Sequence, residues 1–154
     1  MKVYRLERQQ FIRAPLETVF AFFRDAANLQ AITPKWLGFG FVSKPPAELR
    51  VGTRIDYRLR LAGVPLRWRT VITGWDPPRS FCDTQERGPY ALWEHTHLFE
   101  VQGGGVLMTD IVRYALPLGP LGRATHALAV HSALARIFDH RYEVIRETFD
   151  PPGL

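Results

Sequence analysis

The chain has 154 residues, 46% of them hydrophobic, 12% aromatic and 23% charged, with a formal net charge of +5 at pH 7. This length argues for one domain spanning residues 1–154, and the apolar content excludes a disordered or collagen-like chain. A membrane span needs roughly 20 consecutive apolar residues, and the best local run, Val19 to Phe23, is far shorter.

Val3 to Ile12 is rich in strand formers, although its facing is ambiguous between Leu6, Arg8, Gln10, Ile12 and the alternate set. The period then changes. Ala14-Pro15 opens a helix, where proline's missing N–H costs little, and Glu17 lies in the first turn. Leu16, Val19, Phe20 and Phe23 follow at i, i+3, i+4 and i+7, one apolar stripe. A second short helix is predicted over Ala26 to Ile32, ending before Thr33-Pro34. Trp36, Leu37, Phe39 and Phe41 form an apolar loop leading into a strand.

From Gly52 the period is two. Ile55, Tyr57, Leu59 and Leu61 alternate with Arg54, Asp56, Arg58 and Arg60. Past Ala62-Gly63, Leu66, Trp68, Thr70 and Ile72 alternate with Arg67, Arg69 and Val71. So short a glycine turn makes the two strands an antiparallel hairpin, apolar on one face and arginine-rich on the other. Ser80 to Gln85, Leu92 to Val101 and Val106 to Leu116 read as further strands, with Gly88-Pro89 and Gly103-Gly104-Gly105 as turns. Gly122 to Phe149 reads as one helix, with Ala124, Leu128, Leu134, Phe138, Ile145 and Phe149 as its apolar stripe. The predicted class is α+β: an antiparallel sheet, two short helices after the first strand, and a C-terminal helix of about 42 Å lying across the sheet. A ligand would sit between helix and sheet.

Alternate strand residues share a face, so Trp93, His95, His97 and Phe99 point one way. The triple-glycine turn makes partner numbers sum to about 207. Phe99 then opposes Met108, His97 opposes Asp110, His95 opposes Val112 and Trp93 opposes Tyr114. Phe81, Asp83 and Gln85 join the same face. One internal surface therefore collects Asp83, Gln85, Trp93, His95, His97, Asp110 and Tyr114. Burying unpaired polar groups costs roughly 1–3 kcal/mol each, so these must bond one another, water or something bound.

Three main readings compete for that cluster. One is a satisfied network, for instance His97 with Asp110 and His95 with Asp83. Another is a polar patch that orients a ligand in an apolar cavity. The third is catalysis, with His95 or His97 as proton carrier paired to Asp83 or Asp110. A His-x-His strand with a facing carboxylate also suggests zinc, but no third firm ligand emerges and no metal is expected. His131 lies near the apolar stripe of the long helix and is a further candidate, more simply read as a rim or core residue.

The lone cysteine, Cys82, excludes an intrachain disulfide, has no histidine on its face and suits no catalytic thiol. The N-terminus, Met1 to Arg8, carries charges where a signal peptide would be apolar, so a cytoplasmic protein is expected. Arg54, Arg58, Arg60, Arg67 and Arg69 share the outer hairpin face, interrupted by Asp56 and without aromatics for base stacking. A solvated face is preferred to a nucleic-acid or membrane contact.

In order and spacing, the following pieces resemble the SRPBCC superfamily, the START-like and polyketide cyclase/dehydrase group with the birch-pollen-allergen fold. They are Ala14-Pro15-Leu16-Glu17-Thr18-Val19-Phe20, Asn28-Leu29 to Thr33-Pro34, Gly52-Thr53, and Phe81-Cys82-Asp83-Thr84-Gln85. They continue with Gly88-Pro89-Tyr90, Trp93 to Phe99, Asp110 to Tyr114, and Leu116 to Gly122. The resemblance, over about Tyr4 to Phe149, implies a helix-grip fold: a curved seven-stranded antiparallel sheet around the C-terminal helix. It further implies a cavity for a lipid, polyketide, quinone or similar molecule, no cofactor, and a mouth flanked by Trp36 to Phe39, Leu61 to Pro65 and Gly88 to Tyr90. Mouth residues would be Trp36, Phe39, Gly63, Val64, Pro65, Gly88, Pro89 and Tyr90.

The preferred reading is thus binding of a small hydrophobic or amphipathic molecule, without stable membrane insertion. Its expected contacts are Tyr57, Trp68, Asp83, Gln85, Trp93, His95, His97, Phe99, Asp110, Tyr114 and His131. The alternatives are a cyclase/dehydratase-type enzyme using a His/Asp pair, or an interaction module. In the latter, side chains fill the cavity and the arginine face binds an acidic partner.

Overall fold

The computed structural model describes residues 1–61 and 63–150. Its strands are β1 (Tyr4–Ile12), β2 (Gly40–Phe41), β3 (Arg54–Leu61), β4 (Val64–Asp76), β5 (Ser80–Arg87), β6 (Leu92–Gln102) and β7 (Gly105–Ala115). They form one antiparallel sheet in the order β1-β7-β6-β5-β4-β3-β2. Every strand from β3 to β6 pairs with its successor, as short hairpin turns require.

Pairing with β7 settles the ambiguity of β1. Gln10 and Ile12 are buried while Phe11 is 46% exposed, so the even-numbered set faces the core. Helix α1 (Leu16–Phe23) buries Val19, Phe20 and Phe23, the predicted stripe, with Pro15 as N-cap just ahead of it. The next helix is shorter than expected. A 3₁₀ turn covers only Ala26–Leu29, capped by the Asp25 carboxylate accepting from the Ala27 N–H at 3.0 Å. The apolar loop adds a second 3₁₀ turn, Lys35–Leu37.

Tyr57 pairs with Trp68 and Ile55 with Thr70, so the β3–β4 hairpin keeps its apolar residues on one face. Ala62, placed in its turn by the sequence, lies outside the described residues. Strand β4 runs on to Asp76, with register shifts against β5 at Arg69/Thr70 and Ile72/Gly74. Such irregularities bend a strand and increase its twist, which wraps the sheet around the helix. Between β6 and β7 the predicted register holds: Phe99 faces Met108, His97 faces Asp110, His95 faces Val112 and Trp93 faces Tyr114.

The C-terminal helix begins earlier than expected. Segment α2 (Gly119–Thr125) continues through a π turn at His126–Val130 into α3 (His131–Phe149). The apolar stripe is accordingly corrected. Leu134, Phe138 and Ile145 are buried, but Ala124 is exposed and Leu128 is 86% exposed. The reason is geometric: six residues separate Leu128 from Leu134, which turns them roughly 240° apart on a regular helix. The π turn instead keeps Gly122, His126, Val130 and Leu134 on the inner side, four residues apart. Among the described residues no helix is long and apolar enough to cross a membrane.

The core has three parts. Val19, Phe20, Phe23, Phe81, Phe99 and Ile145 belong to one, Val112, Tyr114, Leu134 and Phe138 to the second, and Leu37, Leu59 and Trp68 to the third. They surround an open interior.

Candidate functional site

That interior is a cavity of about 200 Å³ between the sheet and α3. Tyr57, Trp68, Tyr90 and Trp93 form an aromatic wall. Trp68 stacks on Tyr57 at 5.9 Å and meets the Trp93 ring at 90°. Leu134, Ile137 and Phe138 close the helix side, and Phe22, Leu29 and Ile32 close the α1 end. Asp83, His95, His97, Thr70 and Arg141 form one polar end.

The polar end is a continuous network. His97 Nε2 lies 2.7 Å from Asp83 Oδ2, and His95 Nε2 lies 2.8 Å from Asp110 Oδ1. These pairs correct the expected ones: each imidazole bonds the carboxylate diagonal to it, not the one directly opposite in register. Diagonal neighbours are within reach of long side chains on a twisted sheet. Arg141, from α3, donates through Nε and Nη2 to both oxygens of Asp110, each at 3.0 Å. Its Nη2 also lies 3.4 Å from His97 Nδ1. Since a guanidinium only donates, His97 Nδ1 accepts and its Nε2–H donates to Asp83. The rings form a ladder: Phe81 on His97 at 4.0 Å, His97 on His95 at 3.8 Å, and His95 edge-on to Phe138 at 5.6 Å. The network thus joins two of the three core parts.

Charge follows from these contacts. Burial, aided by the field of His95, drives His97 down to about 4 against the upward pull of Asp83, so the ring is neutral at pH 7. Burial opposes ionisation of Asp110, but the Arg141 charge and the His95 hydrogen bond outweigh it and hold the carboxyl well below its usual range. Asp83 is likewise lowered: burial opposes, and the His97 hydrogen bond with nearby positive charge prevails. Burial pushes the Tyr57 and Tyr90 phenols up, so both stay protonated.

Arg141 was absent from the sequence candidates. Its signal was nevertheless present: Leu134, Phe138, Arg141 and Ile145 occupy one face of α3, so an arginine stands in the middle of an apolar stripe. Such a residue must carry a buried partner.

Of the predicted contacts, Tyr57, Trp68, Asp83, Trp93, His95 and His97 line the cavity. Five others lie elsewhere. Phe99, 2% exposed, packs against Phe20 and Phe23 in the core, because α1 covers that end of β6. Asp110 stands behind His95, held by Arg141. Gln85 clasps the next turn, its amide donating to the Tyr90 carbonyl at 2.9 Å and accepting from the Tyr90 N–H at 3.1 Å. A Cβ at Gly88 would meet Gln85 Oε1 at 2.5 Å, so this clasp requires glycine there. Tyr114 shares a hydrogen bond with His126 at 2.7 Å, and both rings stack on Tyr4. His131 is exposed, because the π turn rotates it away from the sheet and brings His126 inward. Of the expected mouth residues, Phe39 and Tyr90 reach the wall. Trp36 is 46% exposed with the Arg136 guanidinium 4.6 Å from its ring centre, while Gly63, Val64 and Pro65 form an exposed hairpin tip. Gly88 and Pro89 shape the turn below Tyr90 without reaching the wall.

Asp83, His95 and His97 can each offer a ligand atom within 4.8 Å of the others, a donor set suited to zinc or iron. Two features of the network oppose that use. Both nitrogens of His97 are engaged, and Arg141 already brings the positive charge that a cation would supply. A metal on His97 Nε2 would move the ring proton to Nδ1, against the Arg141 donor.

The architecture defines a helix-grip fold, a sheet closed over one long helix with a cavity between them. Solved structures share it over nearly their whole length. A Thermus thermophilus protein, TTHA0849, is 18% identical, with a TM-score of 0.67 over 94% of this chain and 99% of that one. Ara h 8.0201 is 15% identical, with a TM-score of 0.64 over 96% and 98%. Major latex-like protein 151 from Panax ginseng is 13% identical, with a TM-score of 0.67 over 97% and 99%. No family model and no curated protein matches the chain.

Proposed function

We propose that this protein binds a small hydrophobic or amphipathic molecule in the cavity between the sheet and α3. The observation that carries the reading is the cavity itself: about 200 Å³, walled largely by aromatic and aliphatic side chains, with Thr70, Asp83, His95, His97 and Arg141 grouped at one end. An engineered cavity of about 150 Å³ suffices to take up benzene, so this space suits a somewhat larger body. The large aromatics that could have filled it stand along its wall, which supports binding over a purely structural interior. The helix-grip fold, through the ligand-binding resemblance of the sequence, supports the same reading. His97 is disfavoured as a proton carrier, because both of its ring nitrogens are committed within the network.

Native mass spectrometry of freshly purified protein, then solvent extraction, tests this. The expected result is a co-purifying small molecule, or tight uptake of the neutral probe N-phenyl-1-naphthylamine that Ile137→Trp, at a half-buried wall position, abolishes. Absence of both a bound molecule and probe uptake overturns it.

A further inference from the structure

The polar end of the cavity has a sign. Two carboxylates, Asp83 and Asp110, share one guanidinium, and Arg141 spends it on Asp110. Asp110 keeps 4% of its side-chain surface, whereas Asp83, on the cavity wall, keeps 20%. A ligand therefore meets the carboxylate that has no cation of its own. Asp83 receives His97 Nε2 at 2.7 Å and shares the single Thr70 hydroxyl proton, 3.3 Å away, with the Thr84 carbonyl at 3.2 Å; a carboxylate has about four acceptor sites, so it can take another donor.

The same wall holds the complementary deficit. Trp68 Nε1 is the one buried side-chain polar atom without a partner among the described residues, and Trp68 is 7% exposed. Trp68 and Thr70 alternate onto one face of β4, the face that lines the cavity together with Asp83. A molecule seated here gains by offering a donor to Asp83 and a lone pair to Trp68. A hydroxyl group carries both. A carboxylate has no proton to give and adds negative charge beside Asp83, and an ammonium has no lone pair for the indole.

Resting on the ligand-binding reading above, we propose that the cavity selects an apolar body of about two fused rings bearing a neutral hydroxyl, phenolic or alcoholic, which donates to Asp83. The matching carboxylate is rejected.

Naphthalene, 2-naphthol, 2-naphthoate and 2-naphthylmethylamine share one body and differ in the head. Their affinities are measured at pH 8, where a free imidazole is neutral, by calorimetry and by displacement of N-phenyl-1-naphthylamine. The expected order places 2-naphthol at least about tenfold tighter than each of the others. Asp83→Asn, which removes the charge and keeps the shape, should bring naphthol and naphthoate within about threefold of each other. Naphthoate or the amine binding as tightly as naphthol, or an unchanged ratio in Asp83→Asn, overturns the proposal. Equal binding of naphthalene and naphthol ends the head-group selection and leaves the cavity reading standing. If none of the four binds, the cavity reading falls with it. Should Asp83→Asn fail to fold, the wild-type ratios alone decide.

Discussion

The sheet carries a polar network on each face, built from the same chemistry and placed in different surroundings. Outside, Arg54 pairs with Glu86 at 2.9 Å and Arg69 pairs with Asp56 at 2.8 Å, all with side chains 31–53% exposed. Glu86, from β5, thus joins Asp56 in neutralising part of the arginine face of the hairpin. Inside, Arg141, Asp110, His95, His97 and Asp83 have side chains 4–20% exposed. Water screens the outer pairs and would hydrate either partner if the other were lost. The inner groups are held mainly by one another, so the loss of one leaves its neighbours without a ready substitute. Arginine–carboxylate pairs of similar length occur on both faces; the surrounding dielectric decides what each is worth.

Removing one inner partner should have the largest effect. Asp110→Ala leaves a buried guanidinium uncompensated and should lower stability by about 3–5 kcal/mol in urea titrations. Combining it with Arg141→Leu should cost less than the sum of the two single changes. Additive losses would mean that the two side chains do not act as a unit.

An intermediate effect comes from pH. His97 titrates at about 4 in the folded chain, below the ordinary histidine value near 6.5. Between these values the unfolded chain binds a proton that the folded one does not, so stability falls as pH drops through the window. The slope should approach 1.4 kcal/mol per pH unit. The lowered pKa values of Asp83 and Asp110 add a further loss below about pH 4, where the unfolded carboxyls take up protons. His97→Gln can keep both hydrogen bonds, and it should flatten the curve between pH 4 and 6.5. A curve that the substitution leaves unaltered would place the titrating group elsewhere.

The smallest effect belongs to the outer face. Arg69→Ala should leave the thermal midpoint within measurement error at physiological salt. A clear drop there would erase the contrast between the two faces.

Much of the architecture was legible in the chain. Period-two alternation and short glycine turns set the β6–β7 register and the facing of the β3–β4 hairpin, because a one-residue slip would turn every apolar side chain to water. The apolar stripe of α1 was equally plain. The phase of the C-terminal helix was not: a π turn inserts an offset that regular spacing cannot express, and it turned the candidate His131 outward while bringing His126 inward. Of the site, the face bearing His95, His97, Asp83 and Trp68 followed from alternation alone. Which carboxylate each imidazole bonds did not, since opposite and diagonal partners differ only in how side chains lean.

Local pattern therefore determined which residues look inward and which strands pair, because backbone geometry repeats every two or 3.6 residues whatever lies beyond. The packing of α3 against the sheet decided the rest: it brought Arg141 to Asp110 and left Asp83 without a cation of its own. Those relations join residues dozens of positions apart, and their strength comes from the exclusion of water, which exists only once the layers have closed.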